Sequence, residues 1–266
     1  MGQFGQRMTQ VDLILQARAE QLVGVGSGTF GGNGALAHAV VRDCKKTAPS
    51  VAKSCSSNTP LQARNHNTSP IVWVLQGRLN TLEFHPWGAH AEQPDLADRI
   101  VFDLDPGPDV AWTEVVAAAR QVRTLLSGIG LQSWVRTTGG KGLHVVAPLA
   151  PALDWAEVKP FAHAFASSMA EQDPLRFVAS ASKRLRKGRI FIDYLRNGRG
   201  ATSIASFSLR ARAGAPVAMP LRWEELGRVK AGNAFDIHNA PRRLARLKAH
   251  PWDGIGTVRQ GLPRFG

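Results

Sequence analysis

Apolar residues recur along this chain with two different spacings, and each change of spacing marks an element. Residues 99–105, RIVFDLD, pass from an apolar run into alternating apolar and acidic positions and stop at Pro106-Gly107. That pattern predicts a strand ending in a turn. Residues 112–128, WTEVVAAARQVRTLLSG, place apolar side chains at helical spacing, with Gly128 as the terminating glycine. Residues 131–137 and 143–149 read as two strands joined by the loop Thr138-Gly139-Gly140-Lys141-Gly142. Residues 154–172 are helical by period, with Asp154 as N-cap. Further strands are expected over 189–195 and 202–212, flanking the hairpin-like Arg196-Asn197-Gly198-Arg199-Gly200, and two short basic helices around 221–229 and 240–249.

Upstream the signals are weaker. Residues 12–22 suit one amphipathic helix, 24–34 are glycine-rich, and 44–69 are rich in Ser, Asn and Thr. The last stretch has too little apolar surface to offset its ordering entropy and reads as loop or disorder. Two short apolar runs follow between residues 70 and 88. The expected division is an atypical segment, 1–69, before a core, 70–266. Strands and helices mix without strict alternation, which predicts an α+β fold with a mostly antiparallel or mixed sheet.

Length and charge narrow the function. The 266 residues are ample for a hydrophobic core, and no run of 18 uncharged apolar residues occurs, which argues against a membrane span. Two cysteines make neither a disulfide framework nor a four-cysteine zinc site, and no signal-peptide pattern opens the chain, so a cytoplasmic location is expected. Lys and Arg number 33 against 20 Asp and Glu, a net charge of +13. Such a surplus favours a polyanionic partner, nucleic acid before any membrane surface.

The candidate chemistry lies where these elements end. Asp103 and Asp105, two apart on a strand, share one face, and hard oxygen donors so close suit Mg²⁺ or Mn²⁺. Asp193, ending a later strand, is a third carboxylate for a two-metal site. In the loop TTGGKGLH the glycines allow close approach to an anion, Lys141 adds a point charge, and His144 begins the next strand. Lys183, Arg184, Arg186, Lys187, Arg189, Arg196, Arg199, Arg210 and Arg212 cluster around Asp193 in sequence. Most read as a solvated face, with Arg210 the exception because its strand is otherwise apolar. The G-x-G-x-x-G at 26–31 lacks a dinucleotide-fold context, and His85 with His90 lacks further ligands.

Taken in order, EFHPW, FDLDPGP, TTGGKGLHV, KGRIFIDYLRNGRGAT, SFSLRARAGAPVAMPLRWEEL and FDIHNAPRRLARL resemble the polymerase domain of bacterial DNA ligase D, of the archaeo-eukaryotic primase superfamily. The resemblance runs from about residue 70 to 260. It implies a primase-like fold whose RRM-like mixed sheet, flanked by helices, carries the catalytic carboxylates. It also implies a primer-extending nucleotidyltransferase acting at DNA ends or gaps in non-homologous end joining. By motif position Asp103, Asp105 and Asp193 bind two divalent ions, Mn²⁺ or Mg²⁺. Thr138, Lys141, His144 and Arg210 fall at the triphosphate, and His85 at the nucleotide site. Gapped or broken DNA, nucleoside triphosphates, the end-binding protein Ku and a separate ATP-dependent DNA ligase are the implied partners. The alternative is a catalytically impaired nucleic-acid-binding remnant of that family; a metal-dependent phosphodiesterase ranks third.

Overall fold

The computed structural model describes residues 82–90 and 92–263. The helix expected over 12–22, the glycine-rich run and the polar stretch lie outside the described residues. Six strands form one sheet: β1 (Leu96–Pro106), β2 (Trp134–Thr137), β3 (Leu143–Asp154), β4 (Phe177–Val178), β5 (Ile190–Asp193) and β6 (Pro220–Leu221). Their spatial order is β4-β5-β1-β3-β2-β6. Every pairing is antiparallel except β4 with β5, so the sheet is mixed.

Side-chain alternation gives this sheet two unlike faces. Ile100, Phe102 and Leu104 of β1, Leu143 and Val145 of β3, and Ile190 and Ile192 of β5 join the main core. Two helices cover that face. The first, α1 (Trp112–Gly128), buries Val115, Ala118, Ala119, Val122 and Leu126, a stripe at three- and four-residue spacing. The second, α2 (Trp155–Gln172), buries Trp155, Val158, Ala162, Ala166 and Met169 on the same pattern. The Asp154 carboxylate accepts the Ala156 amide at 2.8 Å, so the expected N-cap is in place. The helix expected over 112–128 has those bounds, but its left-handed terminating glycine is Gly130, with φ 83°, rather than Gly128.

The opposite face is sparsely covered. Val101, Val146 and Trp252 form a small cluster there, edged by Trp134 and Ile255. Much of the rest of that face carries charge.

Downstream, the expectations need correction. Residues 202–212 form no strand; Thr202 and Leu209 make only isolated bridges, to Trp87 and Val217. Phe207 has φ 66°, which a continuous strand does not accommodate. Residues 196–200 are accordingly no hairpin: a 3₁₀ turn (Leu195–Asn197) follows β5 directly. The two short helices are a 3₁₀ segment (Trp223–Arg228) and α3 (Ala240–Arg246).

Candidate active site

One rung of the sheet carries the densest chemistry. Asp103 on β1 stands in register with His144 on β3 and with Asp193 on β5. Antiparallel neighbours in register bring their Cβ atoms to roughly 5 Å, so residues 90 positions apart become side-chain partners. Asp105 follows two positions later on the same face, opposite Phe191.

The ion pairs follow from that placement. His144 Nε2 lies 3.3 Å from Asp103 Oδ2. The Arg196 guanidinium bridges the two carboxylates, with Nη2 3.3 Å from Asp103 Oδ2 and 3.2 Å from Asp193 Oδ2. Arg186 Nη1 donates to Asp105 Oδ2 at 2.8 Å while its guanidinium lies 4.0 Å over the Phe191 ring. Arg186 and Arg196 are therefore partners of the carboxylates and no part of a solvated face, unlike exposed Lys183, Arg184 and Lys187.

These contacts divide the carboxylates. Burial pushes Asp103 up, but His144 and then Arg196 outweigh it and hold the group below the usual carboxylate range. Asp105 and Asp193 are raised, by burial first and by the negative charge of Asp103 as well. Burial pulls His144 down. Asp105 is the open one, its side chain 47% exposed against 15% for Asp103 and 11% for Asp193.

Three carboxylates on adjacent strands are the donor chemistry of a hard divalent cation, and two of them are raised as carboxyls crowded by like charge would be. The donor set thus fits Mg²⁺ or Mn²⁺ in kind. Among the described residues, however, no three ligating side chains converge on one point. An ion bound there competes with Arg196 and Arg186 for the same oxygens.

Of the residues assigned to the metal and nucleotide sites, His85, Asp103, Asp105, Thr138, Lys141, His144 and Arg210 line one cleft of about 350 Å³, and Asp193 does not. One wall is the loop 138–142. Thr138 Oγ1 accepts the Gly140 amide at 3.2 Å and donates to the Gly142 carbonyl at 3.1 Å, so its hydroxyl is engaged within the loop. Gly142 is sterically required: a Cβ there would lie 2.1 Å from the Leu104 carbonyl oxygen. Gly139, at φ 65°, leaves room for Arg210, whose Nη1 donates to the Thr138 carbonyl at 2.9 Å. Lys141 is exposed at the tip. A second concavity of about 360 Å³ opens beside Trp134, Trp223 and His250, away from the strand carboxylates. Chemistry, not size, distinguishes the two.

Sequence reasoning missed two buried groups. Glu83, 5% exposed, accepts from His85 Nε2 at 2.8 Å and from the Ala211 amide at 2.7 Å, and Arg210 Nε lies 3.3 Å away. Burial pushes this carboxyl up, but His85, the Ala211 amide and Arg210 bring it down to about 2. Its signal was the Glu-Phe-His triplet, which puts acid and imidazole two apart. Arg136 on β2, 4% exposed, donates to His144 Nδ1 from Nε at 3.3 Å. Burial, with Arg99 nearby, lowers it to about 9. Its signal was a lone Arg in an apolar strand, the criterion that had singled out Arg210.

Comparison with known proteins gives the family and the fold. The family described as LigD, primase-polymerase domain, matches residues 29–252. A multifunctional non-homologous end joining protein LigD from Pseudomonas aeruginosa is 40% identical over 193 residues, 72% of this chain and 23% of that protein. The bifunctional LigD of Bacillus subtilis is 31% identical over 179 residues, 67% of this chain and 29% of that protein. The chain thus spans less than a third of the length of these relatives. The polymerase domain of Mycobacterium tuberculosis ligase D, solved in complex with DNA, superposes with a TM-score of 0.68 at 24% identity. That likeness covers 90% of this chain and 88% of the other, and it establishes a primase-like α+β fold.

Proposed function

The chain belongs to the LigD primase-polymerase domain family of non-homologous end joining, and from that premise we propose that it extends primers at DNA ends or gaps by metal-dependent nucleotidyl transfer. The observation that carries this reading is the rung His144–Asp103–Asp193 at the wall of a cleft rich in cations. Residues 70–266 form the catalytic core in this reading, with 1–69 a separate N-terminal segment.

In the reaction, a primer 3′-oxygen bonds to the α-phosphorus of a nucleoside triphosphate, the bond to pyrophosphate breaks, and the hydroxyl proton passes to water. Asp103, Asp105 and Asp193 would hold two divalent ions, Mn²⁺ or Mg²⁺, which would supply Lewis acidity to the transfer. Lys141 and Arg210 bind the triphosphate from the loop side. Arg196 lines the cleft with its Nε buried and without a hydrogen-bond partner, and a triphosphate offers the acceptor it lacks. Glu83 fixes His85 and Arg210 relative to one another at the nucleotide site. His144 Nε2 lies against Asp103, so the imidazole acts on the carboxylate as well as facing the cleft.

Primer extension on a gapped, 5′-phosphorylated duplex with Mn²⁺ and ribonucleotides tests the proposal. Extension by the wild-type chain, lost in Asp103→Ala, is the expected result. The second reading, an impaired DNA-binding remnant, draws on the guanidiniums that already occupy the carboxylate oxygens. It predicts DNA bound by a folded chain with no extension at any Mn²⁺ concentration.

A further inference from the structure

The charged rung extends one strand further than the proposed reaction uses. Arg136 on β2 is in register with His144 on β3, which is in register with Asp103 on β1. The Arg136 guanidinium points along this row, with Nε 3.3 Å and Nη2 3.1 Å from His144 Nδ1. Its remaining contacts are weak: Nη1 to Ser206 Oγ at 3.4 Å and Nη2 to Ser203 Oγ at 3.3 Å. Among the described residues it has no carboxylate within ion-pair distance. Trp252 covers it, the ring centre 5.5 Å from the guanidinium carbon, and Trp252 Nε1 donates to the Val135 carbonyl at 2.9 Å. A buried cation without a counterion is costly, and its retention here needs a reason.

We propose that Arg136 is a positioning residue that fixes the tautomer of His144 and, through it, the orientation of the Asp103 carboxylate. Arginine has donors only, so the Nδ1 atom it faces carries a lone pair. The single proton of a neutral imidazole is then on Nε2, the nitrogen that faces Asp103. The opposite tautomer would set an N–H against a guanidinium and leave a lone pair against a carboxylate, which is repulsive at both ends. The sheet register thus transmits a hydrogen-bond polarity across three strands. Burial of His144 and Arg136, 3% and 4% exposed, excludes water that would otherwise satisfy Nδ1 in either sense.

This inference rests on the polymerase reading only for its kinetic part, and the experiment separates the two. Long-range ¹H–¹⁵N spectra of the metal-free wild-type protein, with His144 assigned by its loss in His144→Gln, should show a neutral ring protonated at Nε2. An Nδ1-protonated ring in the wild type overturns the proposal, whether or not the chain extends primers. In Arg136→Met the Nδ1–H form should appear, and in primer extension kcat should fall about 10–100-fold, as for lost supporting partners of a metal site, with KM for the nucleotide within about twofold. If Arg136→Met does not fold, Arg136→Gln keeps a polar side chain there whose amide oxygen can accept from Nδ1–H, and the same shift in tautomer is expected. A variant that keeps both the Nε2–H ring and wild-type kcat overturns the proposal.

Discussion

Asn197 completes a strand pairing that the backbone abandons. Strand β5 pairs with β1 only from Asp103 to Pro106, after which the chain turns away into a 3₁₀ turn. The next groups on that edge of β1, the N–H and C=O of Val101, would be orphaned. Instead Asn197 Oδ1 accepts the Val101 amide at 2.7 Å, and its Nδ2 donates to the Val101 carbonyl at 2.9 Å and the Tyr194 carbonyl at 2.8 Å. Asn197 is 1% exposed and Val101 2%, so water does not substitute. In Asn197→Ala two buried backbone groups lose their partners, at about 1–3 kcal/mol each. Partial relaxation brings the expected loss to about 3 kcal/mol, which for a domain of this size lowers Tm by about 6–12 °C. Guanidinium denaturation followed by circular dichroism measures it, with the slope m unchanged. Asn197→Asp keeps the shape and the acceptor but loses the donor, so it should be no more stable than the alanine variant. A loss under about 0.5 kcal/mol in Asn197→Ala would refute the argument that this side chain stands in for a strand.

Two further perturbations follow from the site. The folded-state pKa of Glu83 is depressed to about 2 from an ordinary 4.5, so its contribution is present above pH 4.5 and is lost as pH falls through that window to about 2. Glu83→Gln should therefore cost on the order of 3 kcal/mol at neutral pH, and the gap from wild type should close on acidification. A pH-independent gap in denaturation midpoints would contradict this. Gly142→Ala places a methyl against the Leu104 carbonyl and forces β3 from β1 beside Asp105; a loss of about 1–3 kcal/mol or more is expected, read as a fall in Tm.

Much of this was legible because periodicity reports which side of an element is buried. Strand β1 and helix α1 declared themselves that way, as did the shared face of Asp103 and Asp105. What periodicity does not carry is which strand lies beside which. The pairing of Asp103 with Asp193 needed the order β5-β1-β3, set by core packing over long range. The same gap hid Arg186 and Arg196, which looked like solvated charge until the sheet brought them onto the carboxylates. Two-residue strands such as β4 and β6 are too short to show any period. The strand read into residues 202–212 failed for a local reason: Ile204 and Ala205 are buried in succession, and Phe207 turns left-handed.

The unbroken pairing of β1 also limits how this gene segment can change in length. From Arg99 to Leu104 the strand matches β3 residue for residue, and its one irregularity lies between Ala97 and Arg99. Because faces alternate, a one-codon insertion between 100 and 102 would turn both aspartates into the apolar core and Phe102 and Leu104 out to the cleft. The same change upstream of Arg99 falls where the ladder already tolerates a mismatch. Indels in this stretch should therefore survive at the irregular end alone, leaving the reading of the carboxylate rung locked to its hydrophobic counterpart.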